Sequence, residues 1–134
     1  MSEENVEIVR RAYEAFMRGD RTVMAAALDP NIVTHRAPPQ PDAGTWHGPA
    51  GIEHAYESWV EAFDEFTMTL EEAIDAAEDT VILKVHQRAV GSRSRAPIEA
   101  DFWLVHTLEG GRITRLDIFP TEEAAREAAA APDR

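Results

Sequence analysis

The sequence of 134 residues contains no cysteine. Disulfide bonds, thiol nucleophiles and cysteine-ligated zinc are therefore excluded, and folding does not depend on the redox state of the compartment. The sequence also lacks an apolar run of the roughly 20 residues needed to span a bilayer. Its first residues, MSEENVEIVRR, show no basic start followed by an apolar stretch, as a secretory signal would. We therefore expect a cytoplasmic protein with no membrane partner.

Positive charge is scarce, with 13 lysines and arginines against 25 aspartates and glutamates and a net charge of -12. Such a chain repels phosphate backbones, and no basic cluster offsets the repulsion, so nucleic acid is not expected as a partner. The sequence has neither a glycine-rich phosphate loop nor a GxSxG motif, and its five histidines show neither HxH nor HExxH spacing. No cofactor and no metal are expected.

The first half of the sequence has helical periodicity. Ser2 is a candidate cap for a helix that ends at Gly19, and Asp20 is a candidate cap for a short helix that ends at Asp29 and Pro30. NIVTH then predicts a short strand. Residues 37–51 hold four prolines and three glycines and predict an irregular loop, and a third helix is predicted to start near Pro49 at its end.

The second half has a period of two. FTMTLEEAI, TVILKVHQRAV, IEADFWLVHTL and RITRLDIF predict four antiparallel strands, and Thr121 opens a last, alanine-rich helix. The length fits a single domain over residues 1–134, with residues 131–134 as a frayed tail.

Pairing Lys84 and Arg88 with Glu99 and Asp101 across the central hairpin places opposite charges on one face of the sheet. Leu116 of the last strand then turns towards the helices, and Asp117 turns away. The outward face remains more apolar than a solvated sheet face needs to be. We expect a homodimer through this face, carried by Ile82, Trp103, Val105 and Phe119.

The order of these segments resembles the nuclear-transport-factor-like superfamily, specifically its SnoaL-like and ketosteroid-isomerase-like members. The resemblance rests on VRRAYEAFMRGD, GPAGIEHAYESWVEAF, APIEADFWLVHTLEGGRITRLDIFP and TEEAAREAA. It implies an α+β fold, a cone-shaped roll in which helices pack on a curved antiparallel sheet, with a pocket at the open end. Dimers through the outer sheet face are common in this superfamily.

The resemblance does not extend to the catalytic residues of ketosteroid isomerases. Their helix 1 tyrosine aligns with Ala12, and their catalytic aspartate aligns with Arg36. Their second oxyanion donor aligns with Glu99 or Ala100, depending on the register. The acid that SnoaL-like cyclases use on the last strand corresponds to Asp117 only if its strand points that residue inward, and we prefer an outward Asp117 paired with an arginine.

The remaining candidates for proton transfer are His35, at the end of the first strand, and His106, between two inward leucines. For each, the alternative is a histidine that is simply hydrogen-bonded within the structure. Trp46 is expected at the mouth of the cone, either plugging it or stacking on a ligand. The expected pocket residues are Tyr13, Trp46, Tyr56, Trp59, Gln87, Phe102, Leu104 and Ile118.

Two functions are consistent with these residues. The first is binding of a small, largely apolar molecule in the cone, with cofactor-independent acid-base chemistry of isomerase, cyclase or hydratase type by His35 and His106. The second is a non-catalytic dimerisation or binding module whose cone is filled by Trp46, Trp59 and Phe102.

Overall fold

A computed structural model describes residues 2–36, 44–61 and 63–130. The four helices are α1 (Ser2–Met17), α2 (Thr22–Ala27), α3 (Gly48–Glu61) and α4 (Glu122–Ala130). The six strands are β1 (Leu28–Arg36), β2 (Gly44–His47), β3 (Phe63–Ala77), β4 (Thr80–Gly91), β5 (Pro97–Glu109) and β6 (Arg112–Phe119). The tail predicted to fray lies outside the described residues. No helix in the described part is both long and apolar enough to cross a membrane.

The strands form one sheet in the order β2-β1-β6-β5-β4-β3. All neighbours are antiparallel except β1 and β6, which run parallel. Helices α1 to α3 cover the inner face, where Val9, Ile32, Leu83 and Leu108 are fully buried in the main core. The predicted α+β roll is confirmed.

The structure corrects two of the predicted boundaries. Gly44–His47, predicted as loop, pairs with β1 as the short antiparallel strand β2, whereas residues 37–43 lie outside the described part. Four residues are too few to display a period, so the sequence pattern could not reveal this strand. Helix α2 ends at Ala27 rather than at Asp29, because Leu28 already adopts extended backbone angles and begins β1.

Thr121 precedes α4 as predicted, whereas the N-cap residue of α2 is Arg21 and not the predicted Asp20, which lies one residue earlier and still bonds the first residue of the helix. The Oδ1 atom of Asp20 accepts hydrogen bonds from the backbone N–H and the hydroxyl of Thr22, at 3.0 and 2.6 Å. Thr121 Oγ1 likewise accepts from the N–H of Ala124 at 3.2 Å. Both contacts satisfy a donor that the first turn of a helix leaves without an intrahelical partner.

The charges of the central hairpin pair differently from the prediction. Arg88 lies opposite Glu99 as expected, at 3.5 Å. Lys84 instead reaches Glu71 on β3 at 3.4 Å, and His86 contacts Asp101 and Glu99 with its two ring nitrogens. The predicted faces of β4 and β5 are nevertheless correct, since Val85 pairs with Phe102 on the inner side.

Helix α4 packs on the outer face of the sheet, where the sequence predicted a partner subunit. Ala125 of α4 forms a second core with the fully buried Ile82 and Val105, and Trp103 and Phe119 pack at its edge, half-buried. The same chain therefore covers much of the predicted dimer face. A dimer through Ile82 and Val105 requires α4 to move away, and dimerisation stays a prediction.

Replacing Ala125 with arginine tests the role of α4. The variant Ala125→Arg forces a long charged side chain against Ile82 and Val105, and we expect a loss of about 1 to 3 kcal/mol in the free energy of unfolding. Glu127→Arg, at an exposed position of the same helix, is the control and should change stability little. Urea unfolding measures both. Equal stability of the two variants would show that α4 does not stabilise the outer face.

Candidate functional site

A cavity of about 380 Å³ lies between the helices and the inner face of the sheet. Its wall is mostly apolar and is formed by α1 to α3 and by strands β1, β3, β4, β5 and β6. The residues that line it are Tyr13, Phe16, Arg21, Met24, Ala25, Leu28, Thr34, Arg36, Pro49, Ala50, Ile52, Glu53, Ala55, Tyr56, Trp59, Met68, Gln87, Phe102, Leu104, Leu116 and Ile118.

One side of the cavity is built from aromatic rings in edge-to-face contact. The ring of Trp59 lies 5.6 Å from that of Phe102, at an interplanar angle of 86°. Its indole N–H donates to Gln87 Oε1 at 2.9 Å, so a polar side chain fixes the ring. The amide nitrogen of Gln87 in turn approaches the sulfur of Met68 at 3.9 Å. The aromatic wall is thereby held in one arrangement without closing the cavity.

Tyr13 contributes a hydroxyl that is bonded to His106. The two side chains are buried, and Tyr13 Oη lies 2.8 Å from His106 Nε2. The other ring nitrogen, Nδ1, lies 3.3 Å from the carbonyl oxygen of Val81. Because a carbonyl only accepts, Nδ1 must carry the proton, and Nε2 then accepts the hydroxyl proton of Tyr13.

Burial keeps this pair neutral. Desolvation lowers the pKa of His106 from 6.5 to about 4. Desolvation also raises the pKa of Tyr13 well above its ordinary value of 10.0. At neutral pH the pair is therefore a phenol bonded to an uncharged imidazole. The bond joins α1 to β5 and leaves both side chains uncharged in the interior.

Arg36 places a positive charge in this apolar setting. Its side chain is only 5% exposed at the end of β1, and its guanidinium carbon lies 4.8 Å from the ring centre of Trp59 and 5.4 Å from that of Trp46. Its Nη2 atom donates to the carbonyl of Ala55 at 3.4 Å. Aromatic faces attract a cation, which partly offsets the loss of hydration.

Thr34 lies two residues before Arg36 on the same face of β1. It is 1% exposed and lines the cavity, yet its Oγ1 atom has no hydrogen-bond partner within the described residues. A buried hydroxyl without a partner is uncommon and unfavourable in a folded protein. This atom distinguishes the β1 side of the cavity from the rest of the wall.

The mouth of the cavity is bridged by an ion pair. Arg21, just before α2, donates to Glu53 of α3 at 2.6 Å, and the Arg21 guanidinium lies over the ring of Phe16. Both charged side chains are about half exposed, so solvent screens the pair. The pair joins the two helices that flank the entrance.

Seven of the eight predicted pocket residues line the cavity; they are Tyr13, Tyr56, Trp59, Gln87, Phe102, Leu104 and Ile118. Trp46 is the exception. It packs closely on α3, where a Cβ atom at Gly51 would come within 3.0 Å of the Trp46 Cβ. From there its ring reaches Arg36 rather than the cavity. The glycine of GPAGI thus admits the tryptophan, which neither plugs the mouth nor lines the pocket.

The predicted catalytic residues do not converge. His35 lies beside Asp117 in the register of β1 with β6, on the face opposite the cavity, and contacts Thr45 at 3.0 Å. Its predicted place in the pocket is wrong because successive side chains of a strand alternate between faces. His106 is the hydrogen-bonded core histidine of the alternative interpretation and reaches neither His35 nor Gln87. Asp117 points outward and forms a 2.8 Å ion pair with Arg115, as preferred.

Thr34 and Arg36 are the site residues that the sequence analysis did not select. The signal for them was the alternation of Ile32, Thr34 and Arg36 on one face of β1. That signal was ambiguous, because Val33 is as apolar as Ile32 and either could face the core. The parallel pairing of Thr34 with Leu116 and of Arg36 with Ile118 resolves it.

A second polar cluster lies on the outer face, away from the cavity. Glu71, His86 and Asp101 bring potential metal-ligand atoms within 4.8 Å of one another. His86 uses Nδ1 for Asp101 at 2.7 Å and Nε2 for Glu99 at 2.9 Å. The ammonium group of Lys84 also approaches Glu71. With both ring nitrogens donating and a lysine beside the carboxylates, the cluster is an ion-pair network rather than a free ligand set.

Comparison with known proteins identifies a family to which the chain is similar. A sequence model of the SnoaL-like domain matches residues 9–116. The uncharacterised protein Rv0034 of Mycobacterium tuberculosis is 29% identical over 124 residues, which cover 92% of this chain and 93% of that protein. An NTF2-like protein from Burkholderia thailandensis superposes with a TM-score of 0.78 at 26% identity, covering 96% of this chain and 98% of the other. TerC, co-crystallised with polyporic acid, superposes with a TM-score of 0.73 at 19% identity, over 96% and 99% of the two chains.

The bond between Tyr13 and His106 is testable by deleting one hydroxyl. Tyr13→Phe leaves the Nε2 atom of a buried imidazole without its donor, and we expect a loss of about 1 to 3 kcal/mol in the free energy of unfolding. His106→Leu in the same background should add less than it does alone, because the two side chains are coupled. Additive losses in urea unfolding would contradict the bond.

The two histidines should affect stability in opposite pH windows. The hydrogen bonds that His86 donates to Asp101 and then to Glu99 raise its pKa above 6.5, so its contribution is full below pH 6.5 and is lost as pH rises through the folded pKa. Burial lowers the pKa of His106 to about 4, so its contribution is present above pH 6.5 and is lost as pH falls towards 4. NMR titration of the two imidazoles measures both values. A pKa above 6.5 for His106, or below it for His86, would contradict the assignments.

Proposed function

The chain belongs to the SnoaL-like domain family, and on that premise we propose that its cavity binds a small, largely apolar molecule. The observation that carries this proposal is the open volume of about 380 Å³ between aromatic and aliphatic walls. Ligand pockets commonly measure about 300 to 1,000 Å³ and combine an apolar lining with a few placed polar groups. The cavity matches this description in size and in lining.

The relatives support binding as a function that this fold can perform. TerC was co-crystallised with polyporic acid, a small molecule, and shares the fold of this chain. Its sequence identity is 19%, so this likeness concerns the fold and not the ligand. The identity of the molecule bound here follows from the lining of its own cavity.

We place binding ahead of histidine-based acid-base chemistry. His35 faces away from the cavity, and His106 is occupied by Tyr13 and Val81. Among the described lining residues the one carboxylate is Glu53, which is paired with Arg21 at the mouth. No described pair of side chains around the cavity therefore combines a free base with an acid near neutral pH, as an isomerase or cyclase of the expected type requires.

The alternative function, a module with a filled cone, has less support. It requires Trp46, Trp59 and Phe102 to occupy the interior. Trp46 packs on α3 and Arg36, and Trp59 and Phe102 form one wall beside the open volume. An outer-face dimer remains compatible with ligand binding, because the cavity and α4 lie on opposite sides of the sheet.

Blocking the mouth tests the proposal. Ala25 lines the cavity from α2 and is exposed, so Ala25→Trp narrows the entrance without altering the buried core. Ala26→Trp adds the same ring at the neighbouring exposed position, which does not line the cavity, and is the matched control. Calorimetric titration with 2-naphthamide, a neutral aromatic probe, should show binding to the wild type and to Ala26→Trp, with affinity weakened at least tenfold in Ala25→Trp.

Thermal shift gives a second readout, since a ligand at 100 times its Kd stabilises the folded state by about 2.7 kcal/mol. His35→Ala should retain the full shift, because His35 lies on the opposite face. Absence of any binding by the wild type, or equal binding by the two tryptophan variants, would refute the pocket as the binding site.

A further inference from the structure

We propose that Thr34 and Arg36 form an anion-binding subsite, so that the ligand of the cavity carries a negatively charged oxygen group on its apolar framework. This inference rests on the proposed binding function and specifies the chemical class of the ligand: a small, largely apolar organic acid. A carboxylate is the simplest representative of that class, and an ionised phenol or enol presents the same chemistry.

The first argument is the hydroxyl of Thr34. Its Oγ1 atom is buried at the cavity wall with no hydrogen-bond partner in the described chain, so the protein bears the cost of a desolvated polar group there. Trp103 Nε1 is the other such atom in the described part, but it does not line the cavity. A ligand oxygen that accepts the Thr34 proton would remove the penalty at the cavity.

The second argument is the guanidinium of Arg36. A guanidinium has five N–H donors in one plane and no acceptor, so it can keep its bonds within the protein and still donate to a bound anion. Contacts with Trp46 and Trp59 hold it at the cavity wall. A cation with little exposure to water interacts more strongly with an anion than a solvated one, because the surroundings screen it less.

The third argument is the arrangement of the two residues. Alternate residues of a strand project to the same face about 6.5 Å apart, so Thr34 and Arg36 both face the cavity from β1. Tyr13 donates to His106 and Gln87 accepts from Trp59, whereas the Thr34 hydroxyl has no partner among the described residues. The β1 side of the cavity is therefore where we place the anionic group, with Arg36 adding donors to those it already uses within the protein.

The net charge of -12 means that the protein as a whole does not attract anions. An anion approaching the protein meets a repulsive long-range field, so any preference for an anionic ligand must come from local contacts. Position 36 is also where the sequence aligns the catalytic base of ketosteroid isomerases. An arginine there cannot accept a proton, but it can bind an oxyanion.

The experiment compares two probes of equal size. At pH 7, 2-naphthoate is ionised and 2-naphthamide is neutral, whereas their ring systems are identical. We expect the wild type to bind the naphthoate about 10 to 100 times more tightly than the naphthamide. Arg36→Met should abolish this preference and leave the affinity for the naphthamide within about threefold. Thr34→Val, which keeps the shape of the side chain, should reduce the preference about threefold to tenfold.

Arg88→Met is the matched control. It removes one positive charge from an exposed position on the outer face, so the net charge changes as in Arg36→Met while the cavity does not. The naphthoate preference should persist in this variant. Should Arg36→Met fail to fold, Thr34→Val and the wild type still decide the question.

The outcomes separate this inference from the proposed function. Binding of both probes with equal affinity by the wild type overturns the anion subsite and leaves the binding function intact. Binding of neither probe overturns both. A preference for naphthoate that persists in Arg36→Met, or is unchanged in Thr34→Val, would also overturn the assignment to these residues.

Discussion

The parallel pairing of β1 with β6 is the constraint on which the site depends. It sets Thr34 beside Leu116 and Arg36 beside Ile118 on the inner face, and it sets His35 beside Asp117 on the outer face. A slip of one residue would exchange the two faces along the whole strand. It would bury His35 and expose the cation. The burial of Ile32 in the middle of the strand holds the observed register, because the main core excludes any slip that exposes it.

Much of the fold could be predicted because its long elements repeat their patterns many times. The central hairpin alternates over ten residues or more, and its inner face from Val81 to Gln87 was correctly identified. β1 offered less information, since Ile32 and Val33 are adjacent and equally apolar, and its partner β6 is distant in sequence. The site residues on β1 were missed for this reason. The strand β2 was missed because its pairing, and not its composition, makes it a strand.

The outer face shows a different limit of sequence reasoning. Its apolar side chains correctly indicated a surface that must be covered, but the pattern does not say by what. Helix α4 is only nine residues long and rich in alanine, so it approaches the sheet closely and seals Ile82 and Val105 with small side chains. A short helix of this kind has little intrinsic stability, which it gains from the sheet that it covers. Packing of α4 from the same chain therefore accounts for the apolar side chains of the outer face.

The polar groups around the cavity fall into two sets with different surroundings. Tyr13 is hydrogen-bonded to His106 and Trp59 to Gln87, so these polar groups have partners within the protein. Thr34 differs because its buried hydroxyl has no partner within the described residues, and Arg36 differs because it brings a cation to an apolar wall. If the interior served packing alone, apolar side chains at both positions would be the more stable choice. A hydroxyl and a guanidinium on the same inner face of β1 are what the proposed binding of an anionic oxygen requires there.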